Sequence, residues 1–228
     1  MDAKLVNGEK PSLFGFIFSP QEQFQRVKEN PVFAWPLFWF LLLYAIYGAA
    51  LSYFSLETPE GRESLAMMGS SAKWIMPLIL GITMLIAAPI ILLFLTGFHR
   101  LLMMLFQGEA TFRQLFSLNA HLYILMGIGG LIHIIYLSIV GVGSNYEAFP
   151  TSLAAIFPAE GTLWVFLSSI EVFAIWKLIL SAMGLRVLGD ISSGKAWAIA
   201  LIPFVLSVLI NVGVAALMST INLDMAIS

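Results

Sequence analysis

Glu171 and His133 are the side chains of this 228-residue sequence best suited to proton chemistry, and both fall inside long apolar stretches. Their positions along those stretches are alike. Glu171 is nine positions past Thr162, His133 nine before Val142 and Thr83 nine past Trp74, while Asn211 is eight before Ser219 and Tyr44 and Tyr47 lie seven to ten inside Phe54. At 1.5 Å of helix rise per residue, all six groups sit roughly 10 to 15 Å below one common surface and can meet in one layer. A carboxylate at that depth costs about 2.5 to 3.5 kcal/mol on membrane-insertion scales, so Glu171 is expected to face other helices, with His133 as its donor and Asn211 and Thr83 next. Such a layer could relay protons or bind a small solute; its plainer reading is a hydrogen-bonded pin for helix packing. Lys177, six positions on from Glu171, is rotated by about 120° and displaced by roughly 9 Å toward the opposite surface, where it can snorkel.

A second stretch imitates a nucleotide site. Residues 189–196 read G-x-x-x-x-G-K-A, one residue short of a phosphate-binding loop. Ala196 stands where a Ser or Thr must hold Mg²⁺, and the run before the loop, Ile170 to Gly184, is too long and apolar for the strand that such a loop follows. No nucleotide is expected there. His99 and His121 read as interfacial residues rather than metal ligands, because no third ligand stands at a useful spacing. Paired carboxylates, an H-E-x-x-H helix and a G-x-S-x-G elbow are all missing, so no catalytic residue, metal or cofactor is assigned.

What positions these residues follows from composition. Hydrophobic residues make up 60% of the chain and charged residues 11%, against about 25% charged in soluble domains, and the mean hydropathy is +0.93. The solvent of such a chain is lipid. A net charge of −2 leaves no footprint for nucleic acid, and the absence of Cys excludes disulfides and thiolate chemistry. The first 30 residues carry charges throughout and show no cleavable leader, so the N-terminus is expected to be retained.

Five stretches are long enough to cross a bilayer core, which takes roughly 20 helical residues: Val32–Phe54, Trp74–Phe98, Leu118–Val142, Thr162–Gly184 and Ala196–Ser219. Lys4, Lys10, Arg26, Lys28, Arg100, Arg113, Arg186 and Lys195 fall on one side, and only Arg62 and Lys73 on the other. The positive-inside rule then places the N-terminus in the cytoplasm and the C-terminus outside. The chain divides into a cytoplasmic segment 1–31, a five-span domain 32–219 and an external tail 220–228.

Local signals fill in the connections. Ser19-Pro20-Gln21-Glu22 offers a Ser cap, Pro at the first helical position and Glu three residues past the cap, for a helix over Pro20–Glu29 that lays Phe24 and Val27 on the membrane surface. Gly108 can end the helix leaving the second span, and Thr111 with Gln114 fits a capping box before the third. Gly48 to Ser52, Ala87-Ala88 and Gly127, Gly129 and Gly130 allow close helix approach and also permit a homo-oligomer. Pro77, Pro89 and Pro203 are expected to bend their helices.

Three pieces of this string resemble the Yip-domain family, five-span proteins named for interaction with Ypt/Rab GTPases, and its short bacterial members above all. They are Phe18-Ser19-Pro20-Gln21-Glu22-Gln23-Phe24 with Asn30-Pro31, Gly108 through Phe116, and Glu171-Val172-Phe173-Ala174-Ile175-Trp176 through Gly184 followed by Ser192-Ser193-Gly194-Lys195-Ala196. The resemblance implies five spans with a cytoplasmic N-terminus. Eukaryotic relatives act in vesicle traffic, but the Asp-Leu-Tyr-Gly-Pro motif of that branch is absent here, which points to the bacterial cytoplasmic membrane. Some bacterial relatives accompany an ABC exporter. The expectation is therefore an all-α integral membrane bundle of five transmembrane helices with short cytoplasmic amphipathic helices, acting in the lipid bilayer as a non-enzymatic accessory or scaffold for ABC exporter subunits. The alternative is a small-solute or proton-coupled transporter using the Glu171 and His133 layer, and a third is bilayer shaping by the N-terminal helix.

Overall fold

The chain is almost entirely helical in the computed structural model, which describes residues 9–143, 146–157 and 159–227. A short turn α1 (Gly15–Phe18) and α2 (Pro20–Glu29) precede α3 (Ala34–Ser55), α4 (Pro59–Met68), α5 (Ala72–Leu105) and α6 (Phe112–Val140). After a 3₁₀ turn at Leu153–Ala155 come α7 (Gly161–Ser169), α8 (Val172–Gly189) and α9 (Ser193–Ile227). Helices α3, α5, α6, α8 and α9 are long and apolar enough to cross a membrane. In hydrocarbon each backbone amide needs an internal partner, and a helix is how one segment supplies them all.

Close packing comes from the small residues. A Cβ added to Gly81 on α5 would lie 3.1 Å from the Ala45 carbonyl oxygen of α3, and one on Gly48 of α3 would lie 2.6 Å from Met84 Cγ. That seam brings α3 and α5 backbone to backbone. Gly127 and Gly130 do the same for α6, where Leu43 and Tyr47 of α3 fill the space a side chain would need. Lipid tails are as apolar as leucine, so dispersion between close backbones, rather than escape from water, holds such helices together.

At the end of the bundle that carries α2, the packing differs from the surface-lying arrangement expected of that helix. Phe24 and Val27 are completely buried in a core with Leu115, Leu118, Leu185 and Leu188. Gln114 Nε2 donates to the Lys28 carbonyl at 2.7 Å and Ser117 Oγ to the Val32 carbonyl at 2.7 Å, which anchors the N-terminal segment to α6. Bilayer insertion of this apolar face is thereby excluded in this conformation: it covers protein. Ser19 does not cap α2; its hydroxyl donates to the Gly15 carbonyl, while Pro20 opens the helix as expected. The Thr111–Gln114 capping box forms at the start of α6. Gln107, rather than Gly108, takes the left-handed conformation after α5, at φ 61°.

The phosphate-loop lookalike is a tight turn at this same end. Asp190 closes α8 in the left-handed region at φ 51° and α9 begins at Ser193, so the connection between the two helices is residues 190–192. Lys195 Nζ donates to the Phe106 carbonyl at 3.0 Å, and the Glu109 amide to the Gly189 carbonyl at 3.0 Å, tying the α5–α6 and α8–α9 turns together.

Two spans depart from the expected bounds. The fourth, expected to be continuous over 162–184, is broken at Ile170–Glu171 into α7 and α8. Residues 220–227, expected as a tail, continue α9, and helix α5 runs unbroken through Pro77 and Pro89. Lys4, counted in the charge bias, lies outside the described residues, as does Ser228.

Two measurements check this arrangement. Phe24→Ala is expected to remove about 3 to 5 kcal/mol, the range for an aromatic core truncation, and to lower the melting temperature in detergent, whereas the exposed Gln25→Ala leaves it within about 0.5 kcal/mol. Because the chain has no Cys, single cysteines at positions 62 and 193 report sidedness cleanly. An impermeant maleimide added to intact cells is expected to label the first and not the second.

Candidate functional site

Glu171 stands at a helix break, and that decides its chemistry. Its backbone is extended (φ −125°, ψ 142°), which makes it the N-cap of α8 rather than a mid-helix residue. The carboxylate accepts hydrogen bonds from the Phe173 amide at 3.0 Å, the Ala174 amide at 2.7 Å and the Thr151 hydroxyl at 2.6 Å. Those two amides are among the unpaired donors at a helix start, where the helix dipole also favours negative charge. The connecting segment supplies the rest. Leu153 N donates to the Ile170 carbonyl and Val172 N to the Thr151 carbonyl, a two-residue antiparallel bridge that satisfies the backbone on both sides of the break. Glu171 is 3% exposed and holds three hydrogen bonds, which suits a structural latch better than a proton carrier.

His133 is completely buried, yet its hydrogen bonds go to groups other than Glu171. Its Nε2 lies 2.8 Å from the Tyr146 carbonyl and its Nδ1 3.2 Å from the Tyr47 hydroxyl. The carbonyl can only accept, so Nε2 carries the proton and Tyr47 donates to Nδ1. Phe149 stacks on Tyr47 at 5.6 Å and lies tilted against His133 at 4.9 Å. The expected layer therefore resolves into separate pieces. Tyr47 and His133 meet; Tyr44 packs edge-on against Phe40 at 4.7 Å. Thr83 bonds its own helix at the Ile79 carbonyl and faces outward, and Asn211 is exposed on α9. Neither approaches the carboxylate because the faces of α5 and α9 that carry them are turned away from α8.

A different polar site lies closer to the α2 end. Asn119 Nδ2 donates to Thr96 Oγ1 at 3.0 Å and contacts His99 Nδ1 at 3.3 Å, with Thr96 donating in turn to the Leu92 carbonyl. All three side chains are buried, so His99 is an interior residue rather than an interfacial one. His121 is buried as well, against Phe16 and bonded to the Ser117 carbonyl. Lys177 does not run to the surface: its Nζ sits over the Tyr123 ring, 4.1 Å from the centroid. Tyr123 is ten residues, or roughly 15 Å of helix, inside Arg113. An ammonium so deep costs about 2.5 to 3.5 kcal/mol, of which the ring returns about 0.5 to 2 kcal/mol.

Lys177, Tyr123, His99 and Asn119 line one cavity of about 420 Å³ between α5, α6, α8 and α9. The sequence carried one usable signal for it, a lysine within an apolar span. What remained hidden is the facing tyrosine, because nothing in a linear string pairs positions 123 and 177. Among the described residues no group of three or more His, Cys, Asp or Glu side chains is placed to hold a metal.

The latch makes a direct prediction. Glu171→Ala removes three hydrogen bonds and leaves two amides without acceptors, so it is expected to cost about 2 kcal/mol or more. Glu171→Gln keeps one carbonyl acceptor and is expected to lose about half of that, read as a smaller fall in melting temperature.

Comparison with known proteins agrees with this architecture. The family model described as the Yip1 domain matches residues 14–215. Membrane protein YknW of Bacillus subtilis (strain 168) is 32% identical over 209 residues, covering 86% of each chain. No solved structure matches. Helices, turns and caps from α1 to residue 215 of α9 lie within the matched range, and the chain belongs to the Yip1 domain family of multi-pass membrane proteins.

Proposed function

We propose that this protein is a non-enzymatic accessory or scaffold subunit for other proteins of the bacterial cytoplasmic membrane, an ABC exporter being the partner that the family resemblance suggests. The observation that supports it is the state of Glu171. Held by two amides and a hydroxyl, the chain's one carboxylate within the broken fourth span is committed to the backbone of that break rather than to coupling protons to a solute. Dispersal of Thr83 and Asn211 to outward faces weighs the same way against the transporter alternative.

Large apolar faces remain for neighbours. Only 11% of the most apolar window of α9 and 17% of those of α3 and α5 are buried, against 56% in α8. Helix α8 is the internal strut, and the other three present their surfaces to lipid or to a second membrane protein. The N-terminal segment, held rigid by Phe24, Val27 and the Gln114 bond, gives a fixed surface beside the membrane.

Affinity purification of the full chain in mild detergent, followed by mass spectrometry, is the test. Stoichiometric recovery of exporter subunits, including the nucleotide-hydrolysing one, is the expected outcome. Recovery of the protein alone, or proton-dependent solute uptake by reconstituted vesicles that is lost in Glu171→Gln while folding is kept, overturns the reading.

A further inference from the structure

The cavity around Lys177 has the features of a binding site that neither the latch nor a scaffold role requires. About 420 Å³ falls within the usual range for small-ligand sites, which run from about 300 to 1,000 Å³. Its wall is mostly apolar, with His99, Asn119, Tyr123, Lys177, Ser181 and Ser207 as the polar lining residues. Lys177 contributes an ammonium that rests over the Tyr123 ring and, among the described residues, makes no hydrogen bond or ion pair, and no Asp or Glu lines the cavity.

A second donor stands beside it. Asn119 has two amide protons, one bonded to Thr96 Oγ1 and the other directed at His99 Nδ1. An Nδ1 that accepts leaves the proton of the neutral ring on Nε2, which has no partner among the described residues. Thr96, itself bonded to the Leu92 carbonyl, holds the amide in that orientation. The sequence of bonds from Leu92 through Thr96 and Asn119 thus sets the imidazole as a hydrogen-bond donor on the cavity wall.

The mouth opens sideways. Ile91 and Phe94 of α5 and Leu206 and Ile210 of α9 line the cavity and are also exposed, at 56%, 79%, 43% and 63%. Exposed apolar side chains on adjacent membrane helices face acyl chains, so a ligand enters from lipid rather than from water. An anionic head and an apolar chain are what this combination of charge and access selects.

We propose that the cavity binds a long-chain fatty acid, its carboxylate held by Lys177 and the His99 imidazole and its acyl chain leaving between α5 and α9. Binding neutralises the unpaired ammonium inside the bilayer, where a buried charge gains most from a hydrogen-bonded counter-ion. The site is independent of the exporter partnership and can succeed or fail without it.

The test uses the full chain in detergent, a fluorescent long-chain fatty acid as probe and the fatty alcohol of equal length as control. Saturable binding of the acid, with weaker binding of the alcohol, is expected. Lys177→Met is expected to weaken the acid by about tenfold or more and leave the alcohol unchanged, while Lys177→Arg retains acid binding within about threefold. Ser207→Trp, at an exposed position on the mouth, tests occupancy without disturbing the interior and is expected to lower affinity for both ligands. Equal affinity for acid and alcohol in the wild type, or unchanged acid binding in both Lys177→Met and Ser207→Trp, would falsify the assignment. Displacement of the probe by a two-chain anionic phospholipid as readily as by unlabelled fatty acid also overturns it, since the site then reads surface charge rather than a single chain.

Discussion

Backbone satisfaction in a solvent that offers no hydrogen bonds is the constraint on which this structure rests. A continuous helix meets it automatically; a broken one must find partners elsewhere, at several kcal/mol for each group left bare. The break at Ile170–Glu171 is where the chain meets that demand by tertiary means. Glu171 accepts from two of the first amides of α8, Thr151 adds a third hydrogen bond to the carboxylate, and the bridge at Thr151–Leu153 pairs the peptide groups on either side. Residues 151–153 therefore complete the backbone of the break. Tyr146 repeats the pattern one step away, lending its carbonyl to the buried His133 ring.

Close approach of helices is the second consequence. With no hydrophobic drive between spans, contact depends on how nearly backbones can approach, and Gly48, Gly81, Gly127 and Gly130 set that distance around α3. Those small residues could equally have made a surface for a second copy. Here they face inward, and the exposed surfaces carry Ile, Leu and Phe instead. The bundle gains rigidity at the α2 end, where water-facing turns and apolar spans meet and where the large side chains of the core are concentrated.

Charge within the membrane is handled in two opposite ways. Glu171 is closed off by donors from its own chain, whereas Lys177 rests on a tyrosine face and keeps its N–H groups open toward a cavity. A closed carboxylate stabilises; an open ammonium recruits. The difference lies in geometry, since both residues belong to α8 and its cap and differ by six positions.

Lipid as solvent, five crossings, the pairing of Thr111 with Gln114 and the start of α2 at Pro20 were all legible in the sequence, because each depends on local composition or on residues within one turn of each other. The small-residue stretches were legible as close-packing positions too, though not which helix they would meet. Periodicity treated residues 162–184 as one helix, since an apolar run with a single acidic residue carries no mark of a break; only the pairing of Thr151–Leu153 with Ile170–Val172, some twenty positions apart, makes the break affordable. Equal depth put Glu171, His133, Thr83 and Asn211 in one layer, but depth along a helix does not fix the direction a side chain faces around it. Rotation of each helix, set by glycine seams and interior packing, decided that His133 meets Tyr47, that Lys177 meets Tyr123, and that Phe24 covers protein instead of lipid.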